Sequence, residues 1–229
     1  MANLRGMQVE ACMIDLDGTL VDTMGDFDAV VALMLQDLGL PALARVHVEG
    51  MVGKGSEYLI ECVLTRQLTM VSKAEVKPSE DQLKHAWDIY QTHYNRVNGQ
   101  ASAVYPGVVE GLKGLAEKGL PLACLTNKPQ DLAKSLLKQK GLSDFFSLVF
   151  GGDTFERKKP DPLPLLKTCE ALGFAPHQVL MVGDSSNDAQ AAQAAGCKVV
   201  LLSYGYNHGQ PIRSVAADHH LDSLAEILL

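Results

Sequence analysis

A chain of 229 residues that is 47% hydrophobic and 21% charged holds enough apolar material for one full core and a smaller appended domain, which excludes a disordered chain. Its net charge of −7 argues against nucleic acid or an anionic membrane as partner, while leaving room for a local basic pocket that takes a small anion. The start, MANLRGMQVEACMIDL, lacks a long apolar core ending in small residues, and no run approaches about 20 apolar residues, so a cytoplasmic location is expected.

The first apolar run, VEACMIDL, predicts a strand that ends in Asp15 and Asp17. Residues two apart in a strand share a side, and at about 4 Å and an effective dielectric of about 20 two such charges repel by about 4 kcal/mol. Either the pair lies in a solvated turn or a cation compensates it. Helical periodicity follows: Phe27, Val30, Val31, Met34 and Leu38 within residues 23–38, then residues 56–68, then a helix opened by Ser79 and Gln82 as a capping box with Leu83, Trp87, Tyr90, Tyr94 and Val97 on one face. No strand is predicted across residues 21–100.

From Tyr105 the pattern alternates between helix and apolar strand, as in a parallel sheet covered on both faces. Helix 108–118 leads to LPLACLT, helix 129–140 to FFSLVFGG, helix 162–172 (Asp161 as N-cap) to QVLMVGD, and helix 188–195 to KVVLLSYG. LDSLAEILL closes as a short helix. The expected fold is α/β, a Rossmann-like doubly wound parallel sheet built from residues 1–20 and 101–229, interrupted by a helical insertion over residues 21–100. Cys12, Cys62, Cys124, Cys169 and Cys197 are odd in number and unpaired in spacing, so buried reduced thiols are expected.

Ligands of open parallel sheets collect at the carboxyl ends of the strands. Three ends here carry polar groups: MIDLD with Asp15 and Asp17, LACLTN with Thr126 and Asn127, LMVGDSSND with Asp184 and Asp188, and Lys158 and Lys159 precede Pro160 between the last two. Asp15 and Asp184 from two strand ends suit Mg²⁺, which takes one or two carboxylates and retains water. Thr126 and Asn127 fit phosphate oxygens, or a cap of the next helix. Lys159 suits a phosphate as a point charge, whereas Lys128 and Lys158 read as solvated. Lys54, between Gly53 and Gly55, either meets an anion or sits in a surface turn. The histidines show no metal spacing.

DLDGTLVDT, LTNKP, KKPDP and GDSSND, in this order, resemble the four motifs of the haloacid dehalogenase superfamily of aspartate-nucleophile phosphatases. The resemblance implies a C1-type cap for the helical block and an aspartyl-phosphate mechanism. Asp15 is then the nucleophile and Asp17 the general acid and base. Mg²⁺ is held by Asp15, Asp184 and the main chain of Asp17, with Asp188 supporting it. Thr126 and the Asn127 amide hold the phosphoryl group beside Lys159. Gly18 and Thr19, in the turn where that superfamily hinges its cap, count among the substrate-binding positions. YPGVVEGLKGLAEKGL, GGDTFERKKPDPLPLL and SYGYNHG are similar to members that hydrolyse 2-phosphoglycolate, except that the cap's V-G-N-G reads V-G-K-G. Lys54 is thereby expected to meet the carboxylate of a small phosphorylated acid. Another capped member acting on a sugar phosphate or pyrophosphate, or a receiver-like phosphorylation module, are the competing readings. Either a monomer or a homodimer is compatible with the sequence.

Overall fold

In the computed structural model, which describes residues 1–229, the chain opens with a hairpin of β1 (Ala2–Leu4) and β2 (Met7–Val9) and enters β3 (Ala11–Ile14). Every residue of β3 is buried, as in a strand covered on both faces. Next come β4 (Val21–Asp22), helices α1 (Met24–Asp37), α2 (Arg45–Glu49), α3 (Ser56–Ser72) and α4 (Glu80–Val97), and β5 (Ala103–Val104). β4 and β5 pair antiparallel, so a two-residue ribbon joins the way into the helical block to the way out. Sequence periodicity predicts neither β4 nor the five-residue α2, because elements this short carry no period. The capping box of α4 forms: the Ser79 hydroxyl accepts from the Gln82 amide at 3.2 Å, and the Gln82 side chain accepts from the Ser79 amide at 2.9 Å.

The alternating region comprises α5 (Val108–Glu117), β6 (Leu122–Leu125), α6 (Gln130–Gln139), β7 (Leu148–Phe150), α7 (Leu163–Leu172), β8 (Val179–Gly183), α8 (Ser186–Ala195), β9 (Lys198–Leu202) and β10 (His219–Leu221). It closes with a 3₁₀ turn at Leu224–Leu228 rather than an α-helix. β10 was hidden in the sequence because His219 and His220 break any apolar run at this edge strand. α8 begins two residues before the predicted Asp188 because Ser185 is its cap.

The sheet order is β10-β9-β8-β3-β6-β7, with every pair parallel, which is the predicted α/β class. β3 lies between β6 and β8, with Ile14 in register with Cys124 on one side and Val182 on the other. The next residues of these three strands therefore emerge together where the strand order reverses, the expected ligand position of such sheets. One face packs Cys12, Ile14, Leu180 and Val182 against α5 and α6; the other packs Met13, Val179 and Met181 against α7 and the alanines of α8. The helical block has a core of its own, including Phe27, Val30, Met34, Leu59, Tyr90 and Tyr94, which Leu132 and Tyr206 from the sheet domain join. All five cysteines are free thiols, four of them buried and Cys62 partly so. No helix is long and apolar enough to cross a membrane.

Asp26 fastens the block at its root. Fully buried, it accepts hydrogen bonds from the Gly99 and Ala101 amides, both at 2.7 Å, so the start of α1 grips the segment leading into β5. Asp26→Ala leaves both amides without that acceptor and is expected to lower stability by about 2–3 kcal/mol, read as a fall in the urea midpoint with unchanged slope.

Candidate active site

β3 delivers Asp15 directly to the rim: its amide donates to the Val182 carbonyl at 2.9 Å, one rung beyond the strand. The chain then winds tightly, with the Leu20 and Val21 amides both returning to the Leu16 carbonyl, and Gly18 takes a φ of +83°. A Cβ on Gly18 would run into the Asp184 carboxylate, so only glycine lets the turn pass so close. Thr19 is fully buried and donates from Oγ1 to Asp184 Oδ1 at 2.7 Å, while the Tyr206 amide donates to Oδ2 at 2.5 Å. Gly18 and Thr19 thus position Asp184 and do not line the cavity. Expected among the substrate-binding positions, they stand instead one step back, with the Thr19 hydroxyl turned to Asp184.

Asp188 is the third helical residue of α8. Its Oδ2 accepts from the Ser185 hydroxyl at 2.6 Å, from the Ser185 amide at 3.1 Å and from the Asp184 amide at 3.3 Å; its Oδ1 accepts from Lys159 Nζ at 2.7 Å. Three bonds crowd Oδ2, while Oδ1 accepts one and keeps a lone pair. Asp188, expected to support a metal, orients Lys159 and the turn at Ser185 and has a carboxylate oxygen within 4.8 Å of those of Asp15 and Asp184. Lys159 is buried, donates to Asp188 and to the Leu125 carbonyl at 2.8 Å, and stands 3.1 Å from Asp15 Oδ1 as an ion pair without an aligned hydrogen bond.

Asp15, Asp184 and Asp188 have carboxylate oxygens within 4.8 Å of one another. Burial, reinforced by Asp188 and opposed by Lys159, pushes the Asp15 carboxyl up to about 7; burial together with Asp188 and Asp15 holds Asp184 well above the usual carboxylate range. When all three are ionised, three carboxylates facing one ammonium leave two negative charges uncompensated, the charge of one divalent cation. Asp15 Oδ1 is buried with no aligned hydrogen-bond donor, and Asp184 keeps acceptor capacity on both oxygens. An all-oxygen donor set with this charge deficit fits Mg²⁺. Asp17 stands outside the cluster, its side chain paired with Lys128 at 3.3 Å.

Above the carboxylates lies a cavity of about 30 Å³, traced by the centre of a water-sized sphere. Asp15, Asp17, Thr126, Asn127 and Lys128 form its floor, and Phe27, Gly53, Gly55, Ser56 and Tyr94 of the helical block form its roof. Thr126 Oγ1 accepts from the Lys128 amide at 3.2 Å, fixing the loop beyond β6. The Asn127 side chain clamps Lys159, accepting from its amide at 3.0 Å and donating to its carbonyl at 2.8 Å, and also donates to the Gly53 carbonyl at 3.2 Å. Asn127 thereby aims Lys159 and ties floor to roof. A second tie joins Lys158 to Glu57 at 2.6 Å.

Two lysines lie differently from expectation in this structure. Lys54 is exposed, with Nζ over the Tyr58 ring at 4.9 Å; only the flanking Gly53 and Gly55 reach the cavity. Tyr58, four residues on in α3, offers the ammonium a ring at the solvent edge. Lys128, expected in solvent, has a side chain only 1% exposed and lines the cavity. The available signal was its position two residues after Thr126 at a strand end.

Residues 12–202 match the haloacid dehalogenase-like hydrolases. A phosphoglycolate phosphatase of Thiobacillus denitrificans is 41% identical over 97% of this chain and 96% of its own, and that of Escherichia coli is 38% identical over 96% and 91%. A crystal structure from Haemophilus somnus, described as a predicted phosphoglycolate phosphatase, superposes with a TM-score of 0.90 at 34% identity, covering 97% of each chain.

Proposed function

The chain belongs to the haloacid dehalogenase-like hydrolases, and on that premise we propose that it is a Mg²⁺-dependent phosphatase hydrolysing 2-phosphoglycolate to glycolate and phosphate through an aspartyl-phosphate on Asp15. The observation that carries the reading is the meeting of Asp15, Asp184 and Lys159 under a cavity whose floor also holds Asp17 and Thr126.

Asp15 attacks phosphorus, and the bond from phosphorus to the ester oxygen breaks. Asp17, on the same side two residues on, gives its proton to the departing glycolate oxygen. A water then attacks the phosphoryl group, Asp17 takes the water's proton, and the Asp15–phosphorus bond breaks to release phosphate. The Thr126 hydroxyl and the Asn127 amide hold phosphoryl oxygens, and Lys159 offsets charge on Asp15 and on the phosphoryl group. When bound by Asp15, Asp184 and the Asp17 main chain, Mg²⁺ supplies the positive charge that keeps Asp15 ionised and shields it from the anionic substrate. That requirement is sharper than the sequence suggests, since burial holds the Asp15 carboxyl up at about 7 without a cation.

In this reading residues 21–100 are a cap over a catalytic core formed by residues 1–20 and 101–229. The separate core of the helical block and the ribbon at its root support that division. The roof excludes macromolecules and leaves small phosphate esters. Phosphate release from 2-phosphoglycolate, glucose phosphates and pyrophosphate tests it. The expected result is the highest kcat/KM for 2-phosphoglycolate, activity lost to a chelator and restored by Mg²⁺. Undiminished turnover in excess chelator, or preference for a sugar phosphate, would refute it.

A further inference from the structure

Lys128 is the one basic side chain lining the cavity. An ammonium has three donors. One meets Asp17 Oδ1 at 3.3 Å and one the Tyr94 hydroxyl, while the third has no acceptor in the chain. Phe27 and Tyr94 hold the charge with ring centroids at 5.3 and 4.5 Å, in surroundings apolar enough to strengthen its attraction for an anion. The other candidates are committed elsewhere: Lys159 to Asp15, Asp188 and Leu125, Lys158 to Glu57, and Lys54 to the Tyr58 ring outside. In the roof, Gly55 and Ser56 start the 17-residue α3, whose first amides favour negative charge.

We infer that Lys128, with the first turn of α3, is the specificity determinant that receives the carboxylate of the substrate, a role Lys54 does not fill. The inference rests on the reading that the substrate is a phosphorylated acid. The distances accommodate a two-carbon acid. Asp17 must come within about 3 Å of the ester oxygen to protonate it, and Lys128 Nζ lies 3.3 Å from Asp17, so the ammonium lies within about 6 Å of that oxygen. In a two-carbon acid a carboxylate oxygen lies about 3 Å from the ester oxygen, and a charge-assisted hydrogen bond of about 2.8 Å spans the rest.

The test is kcat/KM for 2-phosphoglycolate and for ethyl phosphate, which has the same heavy-atom chain without the carboxylate, in the native protein, Lys128→Met and Lys128→Arg. In Lys128→Met the ratio of phosphoglycolate to ethyl phosphate is expected to fall about thirtyfold or more, as a rise in KM for phosphoglycolate, with part of it regained in Lys128→Arg. A ratio equal to that of the native protein, with both esters losing alike, overturns the inference and leaves Lys128 as a prop for Asp17. Should Lys128→Met fail to fold, inhibition of the native protein by 3-phosphonopropionate and by propylphosphonate decides: much tighter binding of the first is expected, and equal binding overturns. A native protein that prefers ethyl phosphate overturns the substrate reading itself, a failure visible without any variant.

Discussion

Asp15→Asn is expected to reduce phosphate release by about 10⁴-fold or more while leaving the protein folded. The carboxamide has the same shape, and the bond from the residue 15 amide to the Val182 carbonyl belongs to the backbone and survives. What disappears is the oxygen nucleophile, for which the cavity offers no substitute: Asp17 is engaged with Lys128, and Asp184 is held by Thr19 and Tyr206. The variant has a second signature. A carboxyl whose folded pKa is raised keeps its proton longer in the folded than in the unfolded state, so the folded protein is favoured at low pH and loses that advantage as pH climbs from about 4 through about 7. In metal-free buffer the native protein should therefore lose stability over that window, and Asp15→Asn should lose less. Urea midpoints across the window check it. Full activity in Asp15→Asn would remove Asp15 from the chemistry, and an unfolded variant would show that its charge is needed for the fold.

The strand-end acids could be read from sequence because their placement needs only backbone information: three apolar runs in a parallel sheet bring their following residues to one rim, and the registers at Ile14, Cys124 and Val182 do so. Lys159 could be suspected, but its three partners come from segments separated by tens to more than a hundred residues, and nothing local points the side chain at them. The lysines mark the limit. Lys54 and Lys128 both stand beside turn residues, and which one is turned inward depends on rings from other helices: Tyr58 draws the first to the surface, while Phe27 and Tyr94 enclose the second. Gly18 and Thr19 were legible as a turn, yet the reason for their identities, the closeness of Asp184, exists only once β8 lies next to β3.

Lys159→Met should abolish turnover and also cost the fold about 3–5 kcal/mol in metal-free buffer, the usual penalty for stripping one partner from a buried ion pair. Its side chain is 2% exposed, and the carboxylates it faces are 12% exposed for Asp15 and 1% for Asp188, so water cannot take its place. Methionine keeps the length of the stem but leaves the Leu125 carbonyl without this donor and the acidic cluster without its resident positive charge. Mg²⁺ should recover part of the loss, because a cation held by Asp15 and Asp184 meets the same deficit, and by mass action a concentration of 100 Kd stabilises by about 2.7 kcal/mol. The double variant Asp15→Asn with Lys159→Met separates charge balance from simple packing. If the ammonium serves to neutralise Asp15, removing both should cost less than the two single changes added together, with a coupling of about 1–3 kcal/mol measured from urea midpoints. Strict additivity would mean that Lys159 is held by Asp188 and Leu125 alone, and that its 3.1 Å approach to Asp15 contributes nothing to the fold.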